Sequence, residues 1–183
     1  MSSLSARSAT LKRHSAAAGG AGLALHATLS RTAHVMIVRY VLEGDLGGLR
    51  IPPPRAPRFA ERLWQHTCFE LFLRREQCEA YHELNVSPSG EWALYEFERY
   101  RQPVAVENLP ATLPIVRDEG PSMLRLEVSL PLQDIEGSFA GAPLSAGLSA
   151  VIEDTDGALS YWALAHPCAK PDFHHPDSFA LRL

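Results

Sequence analysis

The sequence predicts an all-β chain folded as an antiparallel β-sandwich. Short runs carry apolar residues at every second position, turns bearing Gly and Pro separate them, and no long segment shows the 3.6-residue apolar spacing of a helix. At 183 residues, 46% hydrophobic and 8% aromatic, the chain can bury a sizeable core as one domain.

Residues 1–9 are rich in Ser and Ala and are expected to be disordered, which leaves 10–183 as the domain. Strands are predicted over 23–30 and 34–42; in the second, Val35, Ile37 and Val41 oppose Met36, Val38, Tyr40 and Leu42, so both faces are apolar and the strand is central. The segment 44–57, with Gly47, Gly48 and a proline run, reads as an irregular loop crossing a sheet edge. Over 67–73, Thr67, Phe69, Leu71 and Leu73 alternate with Cys68, Glu70 and Phe72, so Glu70 points away from the core. In the next run Ala80, Leu84 and Val86 share the apolar side with one exception, His82, while Tyr81, Glu83, Asn85 and Ser87 face the other way.

Pro88, Ser89 and Gly90 make the following turn. A tight turn over Ser89 and Gly90 pairs Val86 with Ala93 and Leu84 with Tyr95, which puts Trp92 across from Ser87 and Glu96 across from Glu83 on the polar face. A three-residue loop would move the pairing by one and send Trp92 to the other face. Further strands are predicted over 113–116, 123–130, 148–153 and 159–166, with a short helical turn near 132–135, a loop over 137–147 and a hairpin turn at Asp154, Thr155, Asp156 and Gly157.

Charge and cysteine content exclude several classes. A net charge of −4 with no dense basic run argues against nucleic acid as a partner. Cys68, Cys78 and Cys168 are odd in number and lack CxxC spacing, so they define neither a disulfide framework nor a zinc site. No stretch approaches the ~18 consecutive apolar residues of a membrane span. Basic residues at Arg7, Lys12 and Arg13 precede an Ala- and Gly-rich segment that His26 interrupts; this is a poor signal sequence, and a cytoplasmic setting is expected. A GxSxG elbow, a phosphate loop and a dinucleotide fingerprint are absent.

Functional groups concentrate between Leu63 and Arg101. Leu63 and Trp64 followed by Thr67, Cys68, Phe69 and Glu70, then Tyr81, Glu83, Asn85, Ser87, Pro88, Gly90 and Trp92, then Tyr95, Phe97, Tyr100 and Arg101, form a combination that resembles DOMON-like ligand-binding domains related to family 9 carbohydrate-binding modules. The likeness continues through Gly44, Asp45, Leu46 and the IPPPRAP run, and again through HPCAKPDFHHPDSF at 166–179. It implies a jelly-roll or immunoglobulin-like sandwich of the carbohydrate-binding-module type that binds and does not catalyse, and it names no ligand; a small polar ligand and no cofactor are expected.

A saccharide suits the groups available. Its C–H faces stack on aromatic rings, and carboxylate and amide groups take its hydroxyls. The expected contact set is Trp64, Glu70, Tyr81, Glu83, Asn85, Trp92 and Arg101. Against it stands the plain reading that the aromatics fill the core and the acids pair with Arg74, Arg99 and Arg101. Two carboxyls ~5–10 Å apart would also match a glycosidase pair, but the resemblance implies no activity. The alternatives are a metal or haem site at His166, Asp172, His174 and His175, whose imidazole and carboxylate groups are metal ligands, and a protein-interaction face. Three prolines in that C-terminal stretch favour a rigid lid, with Phe173 and Phe179 packing and Asp172 or His174 hydrogen-bonding near the sheet edge.

Overall fold

Alternating side chains and a curled, continuous hydrogen-bond ladder build this protein. The computed structural model describes residues 5–106, 109–135, 139 and 142–183. Its strands are β1 (Ser5–Arg13), β2 (Ala24–Arg31), β3 (Val35–Glu43), β4 (Arg58–Phe59), β5 (Cys68–Arg75), β6 (Tyr81–Val86), β7 (Glu91–Arg99), β8 (Gln102–Val104), β9 (Ile115–Gly120), β10 (Met123–Pro131), β11 (Leu144–Glu153), β12 (Leu159–Ala163) and β13 (Leu181–Arg182). Short 3₁₀ turns occur at Leu46–Gly48, Leu63–Gln65, Leu132–Asp134 and Pro176–Ser178. Among the described residues, no helix is long and apolar enough to cross a membrane.

The strands run in the order β4-β7-β6-β5-β11-β12-β1-β2-β3-β10-β9, with β13 beside β11 and β8 beside β7. The turning point is β1: Ser5 to Leu11 pair with β2, and Lys12 and Arg13 pair with β12. One layer is therefore β9-β10-β3-β2-β1 and the other is β12-β11-β5-β6-β7, and they close on a shared core. The expectation of a disordered 1–9 is corrected for residues 5–9, because the backbone of a Ser- and Ala-rich strand gains its partners from β2 whatever its side chains are.

The core interdigitates one face of each layer. Leu25, Leu29, Met36, Val38, Tyr40, Leu42, Leu124, Leu126, Val128 and Leu130 meet Phe69, Leu71, Leu84, Val86, Trp92, Leu94, Leu148 and Ile152. The Tyr40 hydroxyl crosses this core and donates to the Glu70 carbonyl at 2.6 Å, which ties β3 to β5. As expected, β3 is central, but its outer side chains Val35, Ile37 and Val41 are only half-buried. His82 lies on the core face with neither ring nitrogen hydrogen-bonded, and burial pushes its pKa down to about 4, so it sits there neutral.

The β6–β7 register departs from the two-residue turn. Val86 pairs with Trp92, Leu84 with Leu94, Glu83 with Tyr95 and Tyr81 with Phe97. A three-residue loop makes that register: Ser87 N–H donates to the Glu91 carbonyl at 2.8 Å, and Gly90 takes φ 94°, a left-handed conformation that a side chain would strain. Trp92 therefore lies in the core at 1% exposure, edge-on to Phe59, and is no ligand contact. Glu96 likewise falls beside His82 on the core side, and the opposite face gains Tyr95 and Phe97.

Other boundaries shift less. Residues 144–147, expected in a loop, open β11 and pair with β5; residues 136–138, 140 and 141 of that loop lie outside the described ones. Strand β9 begins at Ile115 and extends to Gly120 against β10, and β12 ends at Ala163, where the chain leaves the sheet. The turn at 154–157 forms as predicted, with Gly157 at φ 88°.

The placement of the two tryptophans is directly testable. Trp92→Ala is expected to cost about 3–5 kcal/mol in equilibrium urea unfolding, as for a large core side chain. Trp64→Ala, at a half-exposed position, should stay within about 0.5 kcal/mol of wild type. Equal effects of the two substitutions would contradict the register.

Candidate functional site

Alternation sends a second set of side chains to the outer face of the β12-β11-β5-β6-β7 layer. Glu70 is flanked by Asn85 on β6 and Ser149 on β11, and Glu83 by Phe72 and Tyr95. Glu70 and Glu83 are thus diagonal neighbours on adjacent strands, a separation of about 7–8 Å at the backbone. Tyr81, Phe97, Phe72 and Phe179 form a small second apolar cluster on this face, with Tyr81 stacked on Phe97 at 4.7 Å between centroids.

Three segments rise around this floor and enclose a cleft of about 700 Å³. The first is the 3₁₀ turn Leu63–Gln65, which starts from Arg62 at φ 60° and presents Trp64. The second is the β7–β8 hairpin, where Arg101 takes φ 53° and its N–H donates to the Tyr81 hydroxyl at 3.1 Å. The third is the segment from 164 to 180, which lies over the sheet as a lid and brings Pro171, Phe173 and His174 to the cleft. Gly147 permits its close approach, since a Cβ there would stand 3.2 Å from the Ser178 carbonyl.

The lid is fastened at its start and in its middle. The Lys12 carbonyl meets His166 Nε2 at 2.7 Å, and His14 Nε2 meets the Cys168 carbonyl at 3.1 Å, with the two imidazoles edge to face. In its middle Asp172 accepts from the Tyr100 hydroxyl at 2.7 Å, from Arg101 Nη2 at 2.9 Å and from the His174 N–H at 3.1 Å. Burial opposes the charge on Asp172, but these donors outweigh it and hold its pKa below the ordinary value. The Tyr81 hydroxyl, which accepts from the Arg101 N–H, shares a hydrogen bond of 2.8 Å with His174 Nδ1. The other ring nitrogen of His174, Nε2, faces Glu83 at 3.7 Å.

Burial governs the electrostatics of the floor. Glu70 is 2% exposed, and desolvation followed by the nearby Glu83 charge pushes its pKa well up; a single hydrogen bond from Ser149 Oγ, at 3.3 Å, works against this. Burial also raises Glu83, to about 7, against the pull of a 2.8 Å hydrogen bond from Asn85 Nδ2 and the charge of Arg101. His174 is lowered to about 4, first by burial and then by Arg101, and is neutral near pH 7. Asn85 is fully buried, and its Oδ1 has no hydrogen-bond partner.

Of the residues expected to make the site, Trp64, Glu70, Glu83 and Arg101 line the cleft; Tyr81 and Asn85 support it from beneath, and Trp92 is on the far side of the sheet. Tyr95, Phe97, Tyr161 and Phe173 also line it and are missing from the expected set. The first two follow from the β6–β7 register, and Tyr161 follows from alternation in β12, where Trp162 faces the core. Arg74 lies over the Phe179 ring at 4.7 Å and Arg99 bonds Gln102, so neither pairs with the floor acids. The four C-terminal residues considered as metal ligands do not converge. His166 and Asp172 fasten the lid, His174 faces Tyr81 and Glu83, and His175 Nδ1 accepts from the Asp177 N–H at 3.2 Å to cap the last 3₁₀ turn. No cluster of three or more His, Cys, Asp or Glu suited to a metal occurs among the described residues. All three cysteines are free thiols.

The architecture is that of the β-sandwiches of family 9 carbohydrate-binding modules. The chain is similar to a protein of Bacteroides uniformis provisionally described as carbohydrate-binding, with a TM-score of 0.60 and 14% identity over 91% of this chain and 82% of the other. It is also similar to a family 9 carbohydrate-binding module of Caldicellulosiruptor kristjanssonii solved with glucose, with a TM-score of 0.54 and 10% identity over 94% and 81% of the two chains. A module of the same family and organism solved with cellotriose gives a TM-score of 0.50 and 9% identity over 92% and 75%. No protein-family model and no curated protein sequence matches the chain.

The protonation of the floor predicts a pH effect of definite sign. A carboxyl whose pKa is raised on folding binds its proton more tightly in the folded state, so stability is full below the ordinary carboxylate range and falls as pH rises through the folded value. Relative to Glu83→Gln, wild type should lose stability between pH 4.5 and about 7, on the order of 1 kcal/mol per pH unit. The check is urea unfolding of both proteins across that range; a difference that stays constant with pH would refute the assignment.

Proposed function

We propose that this protein is a non-catalytic, DOMON-like domain that binds a saccharide in the cleft between the sheet, the Trp64 turn and the lid. The observation that carries this reading is the composition of one concavity: two acceptor carboxyls at the bottom, aromatic walls, and an arginine at the rim. Its volume falls within the about 300–1,000 Å³ of small-molecule sites. Trp64, Tyr161 and Phe173 offer rings for the C–H faces of a sugar, Glu70 and Glu83 accept hydroxyl protons, and Arg101 donates to ring or hydroxyl oxygens.

The fold supports the same reading, since modules of this architecture have been solved with glucose and with cellotriose. A concave, acid-floored site also fits a small polar ligand better than a flat protein-interaction patch. The histidines and carboxylates of the lid are occupied with holding it in place, which favours a structural role for that segment over a metal centre. As a site for binding, the cleft needs only complementarity to the ground state of its ligand.

Titration calorimetry of the wild type against glucose, cellotriose and a panel of further mono- and oligosaccharides tests the proposal. At least one saccharide should bind, with Trp64→Ala and Glu83→Ala each weakening it about tenfold or more, the loss of roughly 1.4 kcal/mol typical of a central contact. Absence of binding across the panel, or binding unaffected by both substitutions, would remove the cleft as a saccharide site.

A further inference from the structure

The same outer sheet face holds three buried carboxylates, and the fold treats them differently. Glu153, 5% exposed, is met by Arg50 Nη1 at 2.8 Å and by His66 Nδ1 at 2.8 Å. Glu70 and Glu83, equally buried, have no arginine or lysine within ion-pair distance among the described residues. Arg101, the cation at the rim nearest in effect to Glu83, is already engaged by Asp172. A buried acid pair without a counter-ion is costly unless something supplies one. Beside them the Asn85 Oδ1 is a third acceptor, fully buried and without a donor. Two carboxyls without a counter-ion at the bottom of an aromatic-walled cleft, above an amide oxygen without a donor, call for a ligand that brings hydrogen-bond donors and positive charge together.

We infer that the cleft floor receives a protonated primary amine, and that the ligand class is an amino sugar or an oligomer of one. This rests on the saccharide reading and narrows it. An ammonium group presents three donors and no acceptor, matching the Glu70 and Glu83 carboxyls of the floor, while the sugar ring keeps its apolar faces for Trp64 and Phe173. An acetylated amine loses the charge and two of the donors, so it is the discriminating control.

The other titratable groups packed around the acid pair do not change charge near pH 6. Burial raises Cys68 and Tyr40 well above their ordinary values, burial also raises Tyr81 and Tyr95, and His174 is lowered to about 4. Arg101 stays cationic and Asp172 anionic. Arrival of an ammonium therefore ionises one carboxyl of the floor pair, whose proton leaves to solvent, and the other carboxyl keeps its proton.

The experiment is calorimetry at about pH 6 with glucosamine, glucose, N-acetylglucosamine and cellotriose, in two buffers of different ionisation enthalpy. The expected result is that glucosamine binds about tenfold or more tighter than glucose and N-acetylglucosamine, with release of about one proton per site. Glu70→Gln and Glu83→Gln, checked for native circular dichroism, should bring the ratio of glucosamine to glucose affinity toward one. Glucose or cellotriose binding as tightly as glucosamine, without proton release, overturns the amine inference and leaves the saccharide reading intact. If none of the four binds, the amine inference falls, and the saccharide reading falls with it only when the wider saccharide panel also fails to bind.

Discussion

The loop Pro88, Ser89 and Gly90 fixes which side of its sheet every residue of β6 and β7 occupies, and the core, the cleft and the seat of the lid follow from that choice. A strand has a period of two, so a slip of one residue exchanges its faces. With Gly90 at positive φ, Trp92 and Leu94 join Leu84 and Val86 in the core, and Tyr95 and Phe97 stand with Glu83 and Tyr81. A two-residue turn would have put Trp92 and two acids on the outer face and driven Phe97 inward. The segment at 51–57 reinforces the loop, since the Arg55 N–H donates to the Ser89 carbonyl at 2.6 Å and its own carbonyl stands where a Gly90 side chain would lie.

The lid depends on elements far away in sequence. Lys12 and His14 hold its beginning, and Tyr100 and Arg101 hold its middle through Asp172. The first strand therefore does two jobs: it carries the ladder from one layer to the other, and it anchors the segment that walls the site. Cooperative folding of this kind makes the site a product of the whole domain, in contrast to a loop that closes independently.

Burial without a counter-ion gives the floor its chemistry. The lid and hairpin keep water from Glu70 and Glu83 while the nearby histidine stays neutral and the nearby arginine answers Asp172. The site thus spends folding energy to keep acceptors ready, a familiar arrangement at binding positions, where local strain is offset by the rest of the structure.

By itself the sequence determined the all-β class, most of the strands, and the outward direction of Glu70, Tyr81, Glu83 and Asn85. These follow from alternation and turn composition, which act over a few residues. It did not determine the place of Trp92, because two loop geometries fit Pro88, Ser89 and Gly90 and only the packing of a whole sheet selects one. Strand β1 was illegible for a related reason: Ser and Ala carry little periodic signal, and its pairing comes from β2 and β12. Tyr161 on β12 and Phe173 on the lid, both in the cleft wall, stand 6.3 Å apart between ring centroids. Such a wall arises from long-range strand pairing and lid docking, so only the tertiary structure could decide it.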